Sequence, residues 1–339
     1  MESIFLTARF QGGPDSPVII LSESDGPNKD DLLAATYLAV CDSGIQVKVK
    51  YFDDGHNASQ ASGVAHQIVT EKAAAVIGHF SSICALAASE IYEEASLPFL
   101  APGSSNIALC QNTIFTLRFF GRDDDQIACM AAEAVAGESV IIIGQKNNNG
   151  ELLAEALVRN LSDKRIESRC YLLEEKASLG MLAEVFATRV PTIYILGRKS
   201  FCFDVVRRCT FHERSRVILS DDAWGIDLSE LPHDNIQVPF LHAYGSGIFD
   251  SSVSELKQRA MDLCGKVPGP YFITSYLAVR ALTCALKTQP NLRGRDLINT
   301  FKKSVWTTPY GDLSLSENHE LQGLHWKLFG KRNMQTSEA

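Results

Sequence analysis

Residues 74–109 constrain the fold most. Two short apolar runs, Ala74-Ala75-Val76-Ile77 and Leu97-Pro98-Phe99-Leu100, each end in small or hydroxyl-bearing residues. These are Gly78-His79-Phe80-Ser81-Ser82 after the first and Pro102-Gly103-Ser104-Ser105 after the second. A helical pattern runs from Ser82 to about Ala95. Apolar runs this short, ending in turn residues, suit strands buried on both faces, as in a parallel sheet. The carboxyl ends of such strands form the ligand crevice of an open α/β sheet. The free N–H groups of a helix start there favour an anion. The pattern points to a carboxylate or similar group held by Ser82, Ser105 and nearby amides.

Strand and helix patterns alternate along the rest of the chain. Strands are expected over 17–21, 47–52, 114–117, 140–144, 168–173, 192–196 and 216–219. Helices are expected over 30–40, capped by Asp30 or Asp31, and over 59–70, capped by Ser59. Further helices are expected over 125–135, 151–161, 179–188, 201–209, 253–264 and 271–286, with late strands over 311–316 and 324–329. Repeated strand–helix units at this spacing predict parallel sheets covered by helices. Residues 2–14 and the tail after Lys331 read as loosely held ends.

At 339 residues the chain is long enough for two domains. A net charge of −8 argues against a nucleic-acid groove, and no apolar run is long enough to insert in a membrane. The segment Met1–Phe10 lacks the positive start and long apolar core of a secretory signal. Nine scattered cysteines, an odd number set mostly in apolar patterns, read as buried free thiols of a reducing compartment. The expected location is therefore the cytoplasm, with the periplasm as the alternative if a signal has been removed.

Several segments together resemble the branched-chain amino acid (Leu/Ile/Val) binding proteins, type I periplasmic binding proteins of ABC uptake systems. They are Tyr51-Phe52-Asp53-Asp54, residues 76–82 (VIGHFSS), 88–105 (ASEIYEEASLPFLAPGSS), 117–126 (LRFFGRDDDQ) and 141–157 (IIIGQKNNNGELLAEAL), and more weakly 311–323. The resemblance implies an α/β fold of two lobes with parallel sheets covered by helices and a ligand cleft at the hinge. It implies lobes discontinuous in sequence: residues 1–119 with 243–320, and 120–242 with 321–339. It also implies a pocket. Ser82, Gly103 and Ser105 fall on the carboxylate-binding loops, Asp222 on the acid that accepts the ammonium group, and Tyr271 on an aromatic near the ligand side chain.

The departures from that family are informative. Asn149 and Arg198 stand where two pocket tyrosines are expected, and the loop after Gly26-Pro27 is shorter. His56 and Ser81 occupy positions that often carry a disulfide in the family. An arginine facing an apolar side-chain pocket favours a ligand with a second carboxylate, a phosphate or an amide oxygen. The alternative is that Arg198 turns outward or pairs with Asp222.

No catalytic motif is present: there is no nucleophile elbow, P-loop, G-x-G-x-x-G or H-E-x-x-H. A His79–Ser82 couple is disfavoured, because adjacent residues at a strand exit point to different sides. Enzyme activity is thus the weaker reading, and neither cofactor nor metal is called for. The leading reading is a cytoplasmic sensor of an amino-acid-like or amide-like molecule, partnered by a regulatory protein, like the family's amide-sensing relatives. The first alternative is a solute-binding protein serving an ABC permease. The second is a fold recruited as an enzyme or accessory protein of a metabolic pathway. The oligomeric state is left open.

Overall fold

The computed structural model describes residues 10, 12–174, 186, 190–223, 228–243, 251–265, 268–269, 271–308 and 311–330. In chain order it begins with β1 (Val18–Ser22), α1 (Pro27–Ser43), β2 (Lys48–Phe52), α2 (Ala58–Thr70), β3 (Ala75–Gly78), α3 (Ser82–Glu94), β4 (Phe99–Ala101) and β5 (Thr116–Arg118). There follow α4 (Asp123–Ala131), β6 (Val140–Gln145), α5 (Asn148–Asp163), β7 (Ser168–Leu173), β8 (Thr192–Leu196), α6 (Lys199–Arg208), β9 (Arg216–Leu219) and β10 (Ile236–Ala243). The chain closes with α7 (Ser251–Cys264), α8 (Phe272–Thr288), α9 (Gly294–Lys303), β11 (Val305–Thr308), β12 (Gly311–Leu315), β13 (Leu321–Gln322) and β14 (Leu324–Gly330).

Two compact units result: Met1–Arg122 with His242–His325, and Asp123–Leu241 with Trp326–Ala339. The first holds a five-stranded sheet in the order β2-β1-β3-β4-β5, every pair parallel. It also holds a small antiparallel sheet, β11-β12-β13. The second is built on the order β14-β10-β9-β8-β6-β7, with parallel pairing from β10 through β7.

Both large sheets are covered on two faces, and the period of two decides which residue serves which face. In the first unit Ile19, Leu21, Ala75 and Ile77 join a core with Leu32, Ala35 and Ala278 from α1 and α8. The alternate residues Ile20 and Val76 join Ala65 and Ala88 from α2 and α3 on the other face. In the second unit Ile141, Ile143, Ile193 and Ile195 pack with Phe201 and Val205 of α6. Ile142, Tyr194 and Leu196 pack with Leu153 and Leu157 of α5. Each strand needs apolar residues at every position, which is why the sequence shows continuous rather than alternating runs.

Some local expectations are corrected. The cap of α2 is Asn57, not Ser59: Asn57 Oδ1 accepts from the amides of Ser59 and Gln60 at 2.9 and 3.2 Å. Helix α1 starts earlier, at Pro27, which has no N–H to leave unsatisfied in a first turn. Asp31 is then inside the helix, buried, and accepts from the Gly269 amide at 2.9 Å instead of capping. Strand β10 was masked in the sequence by Pro239, a residue that argues against a strand. Helix α9 hid behind Gly294 at its start, although Leu297, Ile298 and Phe301 bury one face of it. The helix expected over 179–188 lies outside the described residues except for Phe186, as do most of residues 2–14 and the tail after Lys331. All nine cysteines are free, but only Cys84, Cys110 and Cys202 are buried; Cys41, Cys129, Cys209 and Cys264 are half-buried, and Cys170 and Cys284 are exposed. Among the described residues no helix is long and apolar enough to cross a membrane, and no cluster of side chains suits a metal ion.

Candidate functional site

In the first unit the exits of β3 and β4 meet at the carboxyl edge of the sheet, as their adjacent pairing requires. Gly78 permits this crossing: its φ is +141°, and a Cβ there would lie 1.9 Å from the Ser22 carbonyl oxygen. His79 follows at φ +50°. It is fully buried, with Nδ1 2.9 Å from Asp54 Oδ2 and Nε2 2.9 Å from the Tyr92 hydroxyl. Burial pushes the Asp54 carboxyl up, but the hydrogen bond and charge of His79 outweigh it and hold that acid below its ordinary value. Both ring nitrogens of His79 are occupied, so the ring braces the turn and is not a base for Ser82.

The serines after that turn are placed by α3. Ser81 precedes the helix yet makes no side-chain cap. Among the described residues no hydrogen bond engages the first-turn amides of Ser82, Ile83 and Cys84. Ser104 Oγ donates to Ser82 Oγ at 3.0 Å, which leaves the Ser82 proton free to donate elsewhere. Ser104 is fully buried, while Ser82 and Ser105 are half-buried. Gly103 is needed for close approach, since a Cβ would lie 2.6 Å from Phe80 Cβ. The Tyr271 ring packs at a tilt, its centroid 4.8 Å from that of Phe80 and 5.6 Å from that of Phe120, so it joins the same neighbourhood. Thr274 Oγ1 donates to the Pro102 carbonyl at 2.6 Å and ties α8 to the second serine loop.

Two supports of these loops were not read from the sequence. Arg118 is wholly buried at the end of β5. Its Nε donates to Glu320 Oε2 at 2.7 Å, Nη1 to the Ser104 carbonyl at 2.8 Å and Nη2 to the Asn106 carbonyl at 2.7 Å. Glu23, just after β1, is 1% exposed and accepts from the Phe80 amide through Oε2 at 2.7 Å. Burial, followed by the charge of Asp54, pushes its carboxyl up to about 8.

In the second unit Asn149, Arg198 and Asp222 follow β6, β8 and β9, which are neighbours in the sheet. Their positions at the same carboxyl edge follow from that order. Asn149 Nδ2 donates to Asp222 Oδ2 at 3.4 Å, a weak contact. The Arg198 side chain is exposed and makes no ion pair among the described residues, though its charge favours the ionised form of Asp222. Burial and then the charge of Asp123 act more strongly and push the Asp222 carboxyl up from its ordinary value. Burial and Asp222 likewise raise its neighbour Asp221. The Arg198 backbone is pinned by Gln145 Oε1, 2.9 Å from its amide. The serine cluster with Tyr271 belongs to the first unit and the Asn149–Asp222–Arg198 group to the second.

Comparison with known proteins places this geometry in context. The model of a family described as periplasmic binding protein matches residues 26–185. An amino acid binding protein of Pseudomonas aeruginosa is 28% identical over 198 residues, 56% of this chain and 52% of the relative. The chain thus matches about half the length of that relative. A leucine-specific-binding protein of Salmonella typhimurium is 24% identical over 82% of this chain and 78% of its own. A crystal structure of a leucine binding protein from Thermotoga maritima superposes with a TM-score of 0.76 at 17% identity, covering 91% of this chain and 94% of that one.

Proposed function

The chain belongs to the type I periplasmic binding protein family, and on that premise we propose that it binds a small amino-acid-like ligand as the substrate-binding protein of an ABC transporter. The observation that carries the reading is the Ser104–Ser82 hydroxyl pair beside the uncapped start of α3. It offers a hydroxyl proton and free amides to a carboxylate, with Ser105 and the Gly103 loop beside them. Charge-assisted hydrogen bonds of this kind are the strong ones. Asp222 receives the ammonium group, and Tyr271 packs on the ligand's side chain. Structures of the same fold described as ABC transporter substrate-binding proteins, one from Desulfitobacterium hafniense in complex with Leu, favour this transport role over the cytoplasmic sensor that the sequence alone put first.

The ligand's side chain is polar in this proposal, because Arg198 and Asn149 stand where an aliphatic pocket has no use for them. Calorimetry against the common amino acids tests it. An acidic or amide side chain is expected to bind best, and Arg198→Ala to weaken it by about ten-fold. A small neutral amino acid should be little affected. Binding of leucine, isoleucine and valine alone, unchanged by Arg198→Ala, would sink the polar-ligand reading.

The sensor with a regulatory protein partner remains a second reading because all nine cysteines are free thiols. Fractionation of the native host separates the two. Recovery in the periplasm supports transport; recovery in the cytoplasm supports the sensor.

A further inference from the structure

The first unit holds a cavity of about 760 Å³ that lies away from the serine loops, framed by α7, α8, α9 and β11. The volume is that of an ordinary small-molecule site. Its walls are mixed, with an apolar side supplied by Leu256, Leu277, Ala281, Leu292, Trp306 and Leu313. The polar groups in it are not equivalent. Arg259 is neutralised by Asp42, with Nη2 to Oδ1 at 2.7 Å and Nη1 to Oδ2 at 3.3 Å, and the Tyr276 hydroxyl donates to the same carboxylate at 2.7 Å. Arg280 also lines the cavity and is only partly exposed. Its guanidinium has no acceptor and no ion pair among the described residues, and its Nη1 is covered without any partner. Glu255, which is exposed and also lines the cavity, does not pair with it.

An arginine that is partly desolvated and unpaired is costly unless an anion completes it. We propose that this cavity is a second ligand site, taking an organic monocarboxylate with an apolar body, its carboxylate on Arg280 and its chain along Trp306 and the leucines. Two features select the class. One free guanidinium matches one carboxylate in a forked pair, while Asp42 and Glu255 in the same cavity repel a dianion such as phosphate. The apolar side gives the remainder of the ligand a surface to bury. The site is independent of the amino-acid reading, since it shares no residue with the serine loops.

Trp306 supplies the probe. Its fluorescence, taken as the difference between the wild type and Trp306→Phe, should change saturably when octanoate is added. The neutral 1-octanol should bind about ten-fold more weakly, because it lacks the charge-assisted pair. Arg280→Gln should bring octanoate down to the level of octanol, and Arg280→Lys should recover part of the difference. Ser82→Ala should leave the titration unchanged. Circular dichroism checks that the variants are folded. Equal affinity of wild type and Arg280→Gln for octanoate would overturn the proposal, as would equal binding of acid and alcohol or no saturable change at all.

Discussion

Arg118→Met should cost this protein about 3–5 kcal/mol of stability, the range for breaking a buried charged pair by removing one partner. The guanidinium is wholly buried and satisfies three acceptors: Glu320, the Ser104 carbonyl and the Asn106 carbonyl. Methionine fills the volume but leaves both carbonyls unpaired and Glu320 with only the longer Arg122 contact at 3.8 Å. Lysine keeps the charge without the fork, so Arg118→Lys should fall between methionine and the wild type. Urea denaturation followed by circular dichroism reads the loss. Ligand affinity should fall with it, since the freed carbonyls belong to the second serine loop. A change below about 1 kcal/mol for Arg118→Met would mean that water replaces the guanidinium and that the loop is held by other contacts.

Glu23 should make stability fall as pH rises, the reverse of what paired surface carboxylates do. Its folded pKa of about 8 lies above the ordinary 4.5, through burial and then the charge of Asp54. Between those values the folded state holds a proton that the unfolded state has lost. The stabilising contribution is therefore full below pH 4.5 and is lost as pH climbs toward 8, with a slope of at most about 1.4 kcal/mol per pH unit. Asp54 has the opposite sign, because its acid is lowered and its contribution is lost only as pH drops below the ordinary carboxylate range. The two effects thus occupy different windows. Glu23→Gln keeps an oxygen for the Phe80 amide and removes the titration. Relative to the wild type, this variant should gain about 2–3 kcal/mol in stability between pH 5.5 and pH 8. Parallel curves for the two proteins across that window would show that Glu23 ionises normally.

The strand exits that carry the serines were legible because the evidence is local. A short apolar run, then Gly78 or Pro102, then hydroxyls, is a pattern contained in nine neighbouring positions, 74–82 and 97–105. The strand alternation was legible for the same reason, as Ile141, Ile142 and Ile143 show by serving opposite faces of one sheet. Arg118 was not legible. In TLRFFG it reads as one more charged residue at a strand end, and its main partner Glu320 lies 202 positions along the chain. Glu23 was missed for a related reason: its burial exists only once the exits of three neighbouring strands, β1, β2 and β3, converge on it. Asn57 was missed although the signal was present, since Asn is as good a cap as Ser and stands two residues earlier. The distinction between Arg259 and Arg280 was likewise invisible, because only the fold shows which of them meets Asp42.

The central claim is that the serine cluster holds a carboxylate, and it is tested most directly by removing either partner. The tightest-binding amino acid of the calorimetric panel is compared with the amine that lacks its carboxylate, on the wild type and on Ser82→Ala. The account predicts that the amine does not bind measurably and that Ser82→Ala weakens the amino acid by about ten-fold or more, the equivalent of one charge-assisted hydrogen bond. An amine that binds as tightly as its parent amino acid, or a Ser82→Ala variant with wild-type affinity, would contradict it.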